Sequence, residues 1–85
     1  MTQPQRALKT SPEIAGQYLL DYLEDEFRKY PEVRIRRVPK SHQEDGVVVK
    51  TEAREYFFST SWVIQMRMDR VKAEAQRIKE VLPER

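Results

Sequence analysis

The 85-residue chain contains no cysteine. Disulfides, thiolate metal sites and cysteine nucleophiles are therefore excluded together, and cysteine usage says nothing about redox compartment. Only two glycines are present, Gly16 and Gly46, too few for a glycine-rich phosphate loop. No apolar run approaches the roughly 18 residues that a helical membrane span needs. Met1 to Thr10 lacks the apolar centre of a signal peptide, so a cytoplasmic protein with no membrane contact is expected.

Histidine is nearly as scarce, with His42 alone. Ser41 and His42, adjacent in an extended loop, point apart, so this spacing does not set a hydroxyl against an imidazole. A metal site built from His42, Glu44 and Asp45 would be one imidazole and two carboxylates on a loop with no supporting shell. Glu24, Asp25 and Glu26 diverge by about 100° per residue on a helix, which separates them as an acid/base pair. No catalytic residue, metal ligand or cofactor is expected, and an enzyme is not expected.

What is present is charge, at 35% of residues, with hydrophobic residues at 39%. That supplies one thin two-layer core and no second one at this length. The net charge of +2 and the sequence pI near 9.0 conceal segregation: residues 11 to 30 carry −3 and residues 31 to 42 carry +3. Arg34, Arg36, Arg37 and Lys40 place four fixed positive charges within seven residues and no acid among them.

Residues 1 to 10 have no periodicity and are expected to be a flexible tail, with one α+β domain over 11 to 83. The stretch Thr10-Ser11-Pro12-Glu13 starts a helix, either with Ser11 as cap and Pro12 at the first helical position or with Thr10 and Glu13 as a capping box. This helix is expected to reach about Tyr30, before Pro31. Ala15, Leu19, Leu20, Leu23, Phe27 and Tyr30 form its apolar face, widened on one side by Ile14, Tyr18 and Tyr22. Glu26 falls inside that arc, so it either reaches water at the helix end or is paired at an interface.

Val33 to Val38 reads as a strand with Arg34 and Arg36 outward. Arg37 has inward parity, and a bulge or strand end is expected there. A polar loop follows, with Asp45-Gly46 as a turn signal. Two strands are expected near Val47 to Thr51 and Arg54 to Ser59, one long bent strand being the alternative. A second helix is expected from Ser59-Thr60-Ser61 to about Val81, burying the seam Ile64, Met68, Val71, Ala75, Ile78 and Leu82. Trp62, Met66 and Arg70 lie off that seam; Trp62 either covers the core end or joins Met66 in an apolar patch rimmed by arginine.

The fold class is thus α+β in the order helix-strand-strand-strand-helix, a three-stranded antiparallel sheet with two helices on one face. Double-stranded-RNA-binding domains share that order. They carry a GPxH-type loop and a KKxAK-type start to the second helix where this chain has SHQEDG and STSWVIQ, so no binding residue carries over. The expected function is a non-catalytic protein-binding module, an adaptor, regulator or inhibitor acting through complementary charged patches, with a second copy as one candidate partner. The alternative is nucleic-acid binding through the basic strand and second helix. Arg34, Arg36, Arg37, Lys40, Trp62, Met66 and Arg70 are the candidate contact residues, and the acidic first helix is a potential partner for the arginines within the fold or on another copy.

Overall fold

A computed structural model describes residues 11–38 and 45–82. The expected tail, the loop residues Lys40 and His42, and the last residues of the expected domain boundary lie outside the described residues. Helix α1 (Pro12–Glu26) is followed by strands β1 (Arg34–Val38), β2 (Gly46–Lys50) and β3 (Glu55–Ser59), then helices α2 (Thr60–Ile64) and α3 (Met68–Val81). The strands form one antiparallel sheet in the order β1-β2-β3. The expected α+β order is therefore present, with the last helical segment divided in two.

Ser11 is the cap that starts α1: Ile14 N–H donates to its hydroxyl at 3.2 Å, and Pro12 occupies the first helical position. The helix stops at Glu26, short of Tyr30. Arg28 N–H and Tyr30 N–H donate three residues back, to Asp25 and Phe27 carbonyls, tightening the chain before Pro31, which has no N–H to continue the ladder.

Leu19, Leu23 and Phe27 from α1 meet Val47, Val49 and Phe58 from the sheet and Val71, Ala75 and Ile78 from α3 in one buried cluster. Of the seam expected of the last helix, Val71, Ala75 and Ile78 are buried and Met68 and Leu82 are partly buried against the cluster. Ile64 is exposed, because the helix breaks after it. Removing a Phe- or Leu-sized side chain from this cluster would cost about 3 to 5 kcal/mol. The broad apolar arc of α1 exceeds what the sheet covers, leaving Ile14 at 65% and Tyr18 at 52% exposure.

The break between α2 and α3 is a complete helix stop. Met66 N–H donates to the Val63 carbonyl at 2.9 Å and Arg67 N–H to the Trp62 carbonyl at 2.7 Å, with Met66 at φ 59°. That pair of bonds about a left-handed residue is the glycine-type C-terminal cap, here carried by methionine. Asp69 in the first turn of α3 accepts from Arg67 Nε at 3.2 Å, and this arginine holds its carboxyl below the ordinary aspartate range.

Glu26 is paired and does not simply reach water at the helix end. Lys79 of α3 donates to its carboxylate, and the same ammonium lies 5.8 Å from the Phe27 ring centroid. Tyr22, one turn back, has its phenol pushed up to about 12 by burial first and then by the Glu26 charge and hydrogen bond.

Candidate macromolecule-binding face

The register fixes which side chains share each face of the sheet. Ile35, Val49 and Tyr56 align across it, as do Arg37, Val47 and Phe58. Val47, Val49 and Phe58 lie in the core, so these two rows face the helices. The alternate rows face the other way: Arg34, Lys50 and Glu55; then Arg36, Val48 and Phe57; then Val38, Gly46 and Ser59. All described helices lie on the inner side; on the outer side Val38, Val48 and Ser59 are buried, and the exposed part of the face is formed by Arg34, Arg36, Lys50, Glu55 and Phe57.

Arg34, Arg36 and Lys50 are exposed on that open face. Among the described residues none of the three takes part in an ion pair. The acidic helix α1 packs against the inner layer, so the sheet separates its carboxylates from Arg34 and Arg36. The partner within the fold that the charge pattern allowed is not used.

Phe57 lies on the same face at 42% exposure, in the row of Val48 and Arg36. Its ring lies across Gly46: a Cβ at that position would overlap the ring and the Phe58 carbonyl. Glycine is needed at 46 for this close approach and not for a turn, since Gly46 is paired within β2 and has no positive φ. The Asp45-Gly46 turn expectation is corrected accordingly.

Arg37 belongs to the opposite side. Strand β1 pairs without interruption from Arg34 with Lys50 to Val38 with Gly46, so there is no bulge. The guanidinium reaches Asp45, with Nη2 donating to its two carboxylate oxygens at 3.3 and 3.2 Å. It rests on Gly16 of α1, where a Cβ would overlap it. An inward arginine is tolerated because a carboxylate and a missing side chain make room for it at the edge of the layer.

Trp62 also belongs to the helical layer. It meets Phe58 edge to face at 5.8 Å between centroids, and Arg70 stacks over its ring at 4.6 Å. Met66 is 86% exposed on the left-handed turn. The candidates thus fall into two groups: Arg34 and Arg36 on the open sheet, and Trp62, Met66 and Arg70 on the helical segments, with Arg37 engaged between the layers.

Lys50 and Phe57 were not among the residues singled out from the sequence. Their outward parity becomes readable only once the β2–β3 register is fixed. That register rests on Thr51, whose hydroxyl accepts from Ala53 and Arg54 N–H, both at 3.2 Å, and donates to the Arg54 carbonyl. Glu52 and Ala53 form the loop without positive φ, so the threonine side chain replaces the usual Asn-Gly signal.

A cleft of about 530 Å³ lies between the β2–β3 turn and the end of α3, lined by Arg54, Tyr56, Glu74, Arg77 and Glu80 among others. Arg77 is paired with Glu74 at 3.5 Å. Among the described residues no group of three His, Asp or Glu side chains is placed to hold a metal ion. No described helix is long and apolar enough to cross a membrane.

Comparison with protein-family models, with curated proteins and with solved structures finds no match for the chain, so the face is interpreted from its own geometry.

Proposed function

We propose that the chain is a small non-catalytic protein-binding module that docks an acidic segment of a partner protein on the open face of its sheet. The observation that carries this reading is that Arg34, Arg36 and Lys50, unpaired among the described residues, share one face of the sheet with the exposed Phe57. Lys50 stands across from Glu55 on this face, so an incoming carboxylate meets Arg34 and Arg36 as the cations without a paired acid among the described residues. The phenylalanine adds apolar contact on the same face, the combination of arginine and aromatic found at interface hot spots.

The test is fluorescence anisotropy with a labelled Glu/Asp-rich peptide, comparing the native chain with Arg34→Glu/Arg36→Glu. Binding by the native chain and at least a tenfold loss in the variant are expected, with circular dichroism unchanged. An unaltered affinity in the folded variant, or no binding by the native chain, contradicts the reading.

A second reading, single-stranded nucleic acid, is favoured by the Phe57 ring, whose exposure on an open sheet suits stacking of a base. Phe57→Leu separates the two, since leucine keeps apolar contact and removes the π face. If an oligothymidylate binds and loses affinity in Phe57→Leu while the peptide does not bind, nucleic acid is the ligand. Three phosphate contacts would give a slope of about −2 in log affinity against log salt for a single strand.

A further inference from the structure

We infer that two copies of the chain exchange α3: residues 65–67 straighten, α2 and α3 become one helix, and each α3 takes the place of the other copy's α3 against the core. The bend that these residues hold in the monomer is opposed by the local sequence. Thr60 to Val81 contains neither glycine nor proline, and Gln65, Met66, Arg67 and Met68 are all good helix formers. Yet the chain stops there on a methionine at φ 59°, a conformation unfavourable for an L-residue in every bent copy.

The residues at the bend are poorly suited to a stop and a new start. Arg67, the residue before α3, makes no side-chain cap to the first turn, where serine, threonine, asparagine or aspartate is the usual choice. The apolar seam runs through the break without losing step: Ile64 stands four positions before Met68 and seven before Val71, so one continuous helix sets it on the stripe that α3 buries. In the bent chain it is left out, at 41% exposure.

The contacts around the bend divide into those that belong to it and those that exchange keeps. Arg67 pairs with Asp69 at 3.2 Å, two positions apart, where side chains on a helix do not face each other. That exposed pair belongs to the bend. Val71, Ala75 and Ile78 in the core cluster, Lys79 against Glu26 and Arg70 over Trp62 are contacts of α3 with the rest of the fold, and exchange re-forms each of them between copies. The core is therefore the same in both forms, and the hinge decides between them. A short, strained hinge is the arrangement that favours swapping. Two relaxed hinges offset the entropy lost on association, so the exchanged dimer gains on the monomer as concentration rises. Helix α3 lies on the inner side of the sheet, so each copy keeps its open outer face, and exchange and peptide docking stand or fall separately.

The test reads which chain each α3 belongs to. Protein refolded from denaturant at high concentration should give, by sedimentation, a fraction at twice the chain mass of 10.2 kDa. Glu26→Cys with Lys79→Cys places two thiols in a chain that has none, across the pair that joins α1 to α3. On a denaturing gel, a short bifunctional thiol reagent should link two chains in that dimer and one chain to itself in the monomer. In the unsubstituted protein, isotope-filtered NMR of a dimer refolded from labelled and unlabelled chains should show contacts between the Phe27 ring of one copy and the Lys79 side chain of the other. That reading stands even if the double-cysteine variant does not fold.

Met66→Gly relieves the bend and weakens the straight helix, so it should weaken dimerisation by at least about tenfold. Met66→Ala keeps both the strained backbone and the helix preference, and it should dimerise as well as the native chain. A monomer at every concentration, a dimer in which α3 stays with its own chain, or a glycine variant that dimerises as the native chain does would overturn the exchange. So would an alanine variant as weak as the glycine one, because the methionine side chain and not the backbone would then hold the copies together.

Discussion

Met66→Gly should make the protein more stable. Met66 holds φ 59° between α2 and α3 and is 86% exposed, so its side chain adds little burial to offset the backbone conformation. An L-residue in the left-handed region costs about 1 to 2 kcal/mol relative to glycine. Glycine returns about 0.4 to 1 kcal/mol of that through the greater freedom of the unfolded chain. The net gain is about 0.5 to 1 kcal/mol, equivalent to roughly 2 to 8 °C in Tm for a domain of this size. Met66→Ala is the control, since it removes the long side chain and keeps the backbone cost; it should leave stability nearly unchanged. Chemical denaturation followed by circular dichroism measures all three proteins. A neutral or destabilising glycine variant, or an alanine variant equal to glycine, would show that backbone strain is not what Met66 contributes.

Four further outcomes follow from the packing. Tyr22 should titrate near pH 12 by ultraviolet absorbance. Its raised folded pKa means that the stabilisation is complete below the ordinary value of 10.0 and is lost as pH rises through about 12. Glu26→Gln should move that titration down without restoring the ordinary value, because burial, the larger cause, remains; no movement would remove Glu26 as a cause. Lys79→Met should cost about 1 to 3 kcal/mol in denaturant melts by leaving the Glu26 carboxylate without its ammonium, and a neutral result would show the pair to be solvent-screened. Gly46→Ala should destabilise by about 1 to 3 kcal/mol and change the Phe57 ring environment by NMR, because the new methyl overlaps the ring and the Phe58 carbonyl; an unperturbed ring would contradict the close approach.

The parts of the fold legible in the sequence are those set by local chemistry. Ser11-Pro12 marks the first helix start because both residues act within one turn. The alternation of Arg34 and Arg36 is likewise visible from β1 alone. The helix break at Met66 was not legible, since glycine, the usual marker of a left-handed stop, is absent there. Arg37 suggested a bulge because its compensation lies elsewhere: Gly16 is on another element, and Asp45 follows an intervening loop. Gly46 suggested a turn for the same reason, its requirement coming from a ring on the neighbouring strand. Half of the open face, Lys50 and Phe57, depended on a register held by the Thr51 hydroxyl, a signal weaker in sequence than the Asn-Gly pair it replaces.

Glu26 separates two kinds of information. Its position within the apolar arc was visible, and it left two outcomes open. Lys79, 53 positions away, decides between them. Local periodicity identifies a residue out of place, and tertiary contact supplies the reason it is tolerated.

The most direct measurement of the central claim is an NMR titration of the isotopically labelled protein with the Glu/Asp-rich peptide. Saturable shifts confined to Arg34, Arg36, Val48, Lys50 and Phe57 are the expected result. Shifts centred instead on Trp62, Met66 and Arg70, or no saturable shifts at all, would contradict docking on the open sheet face.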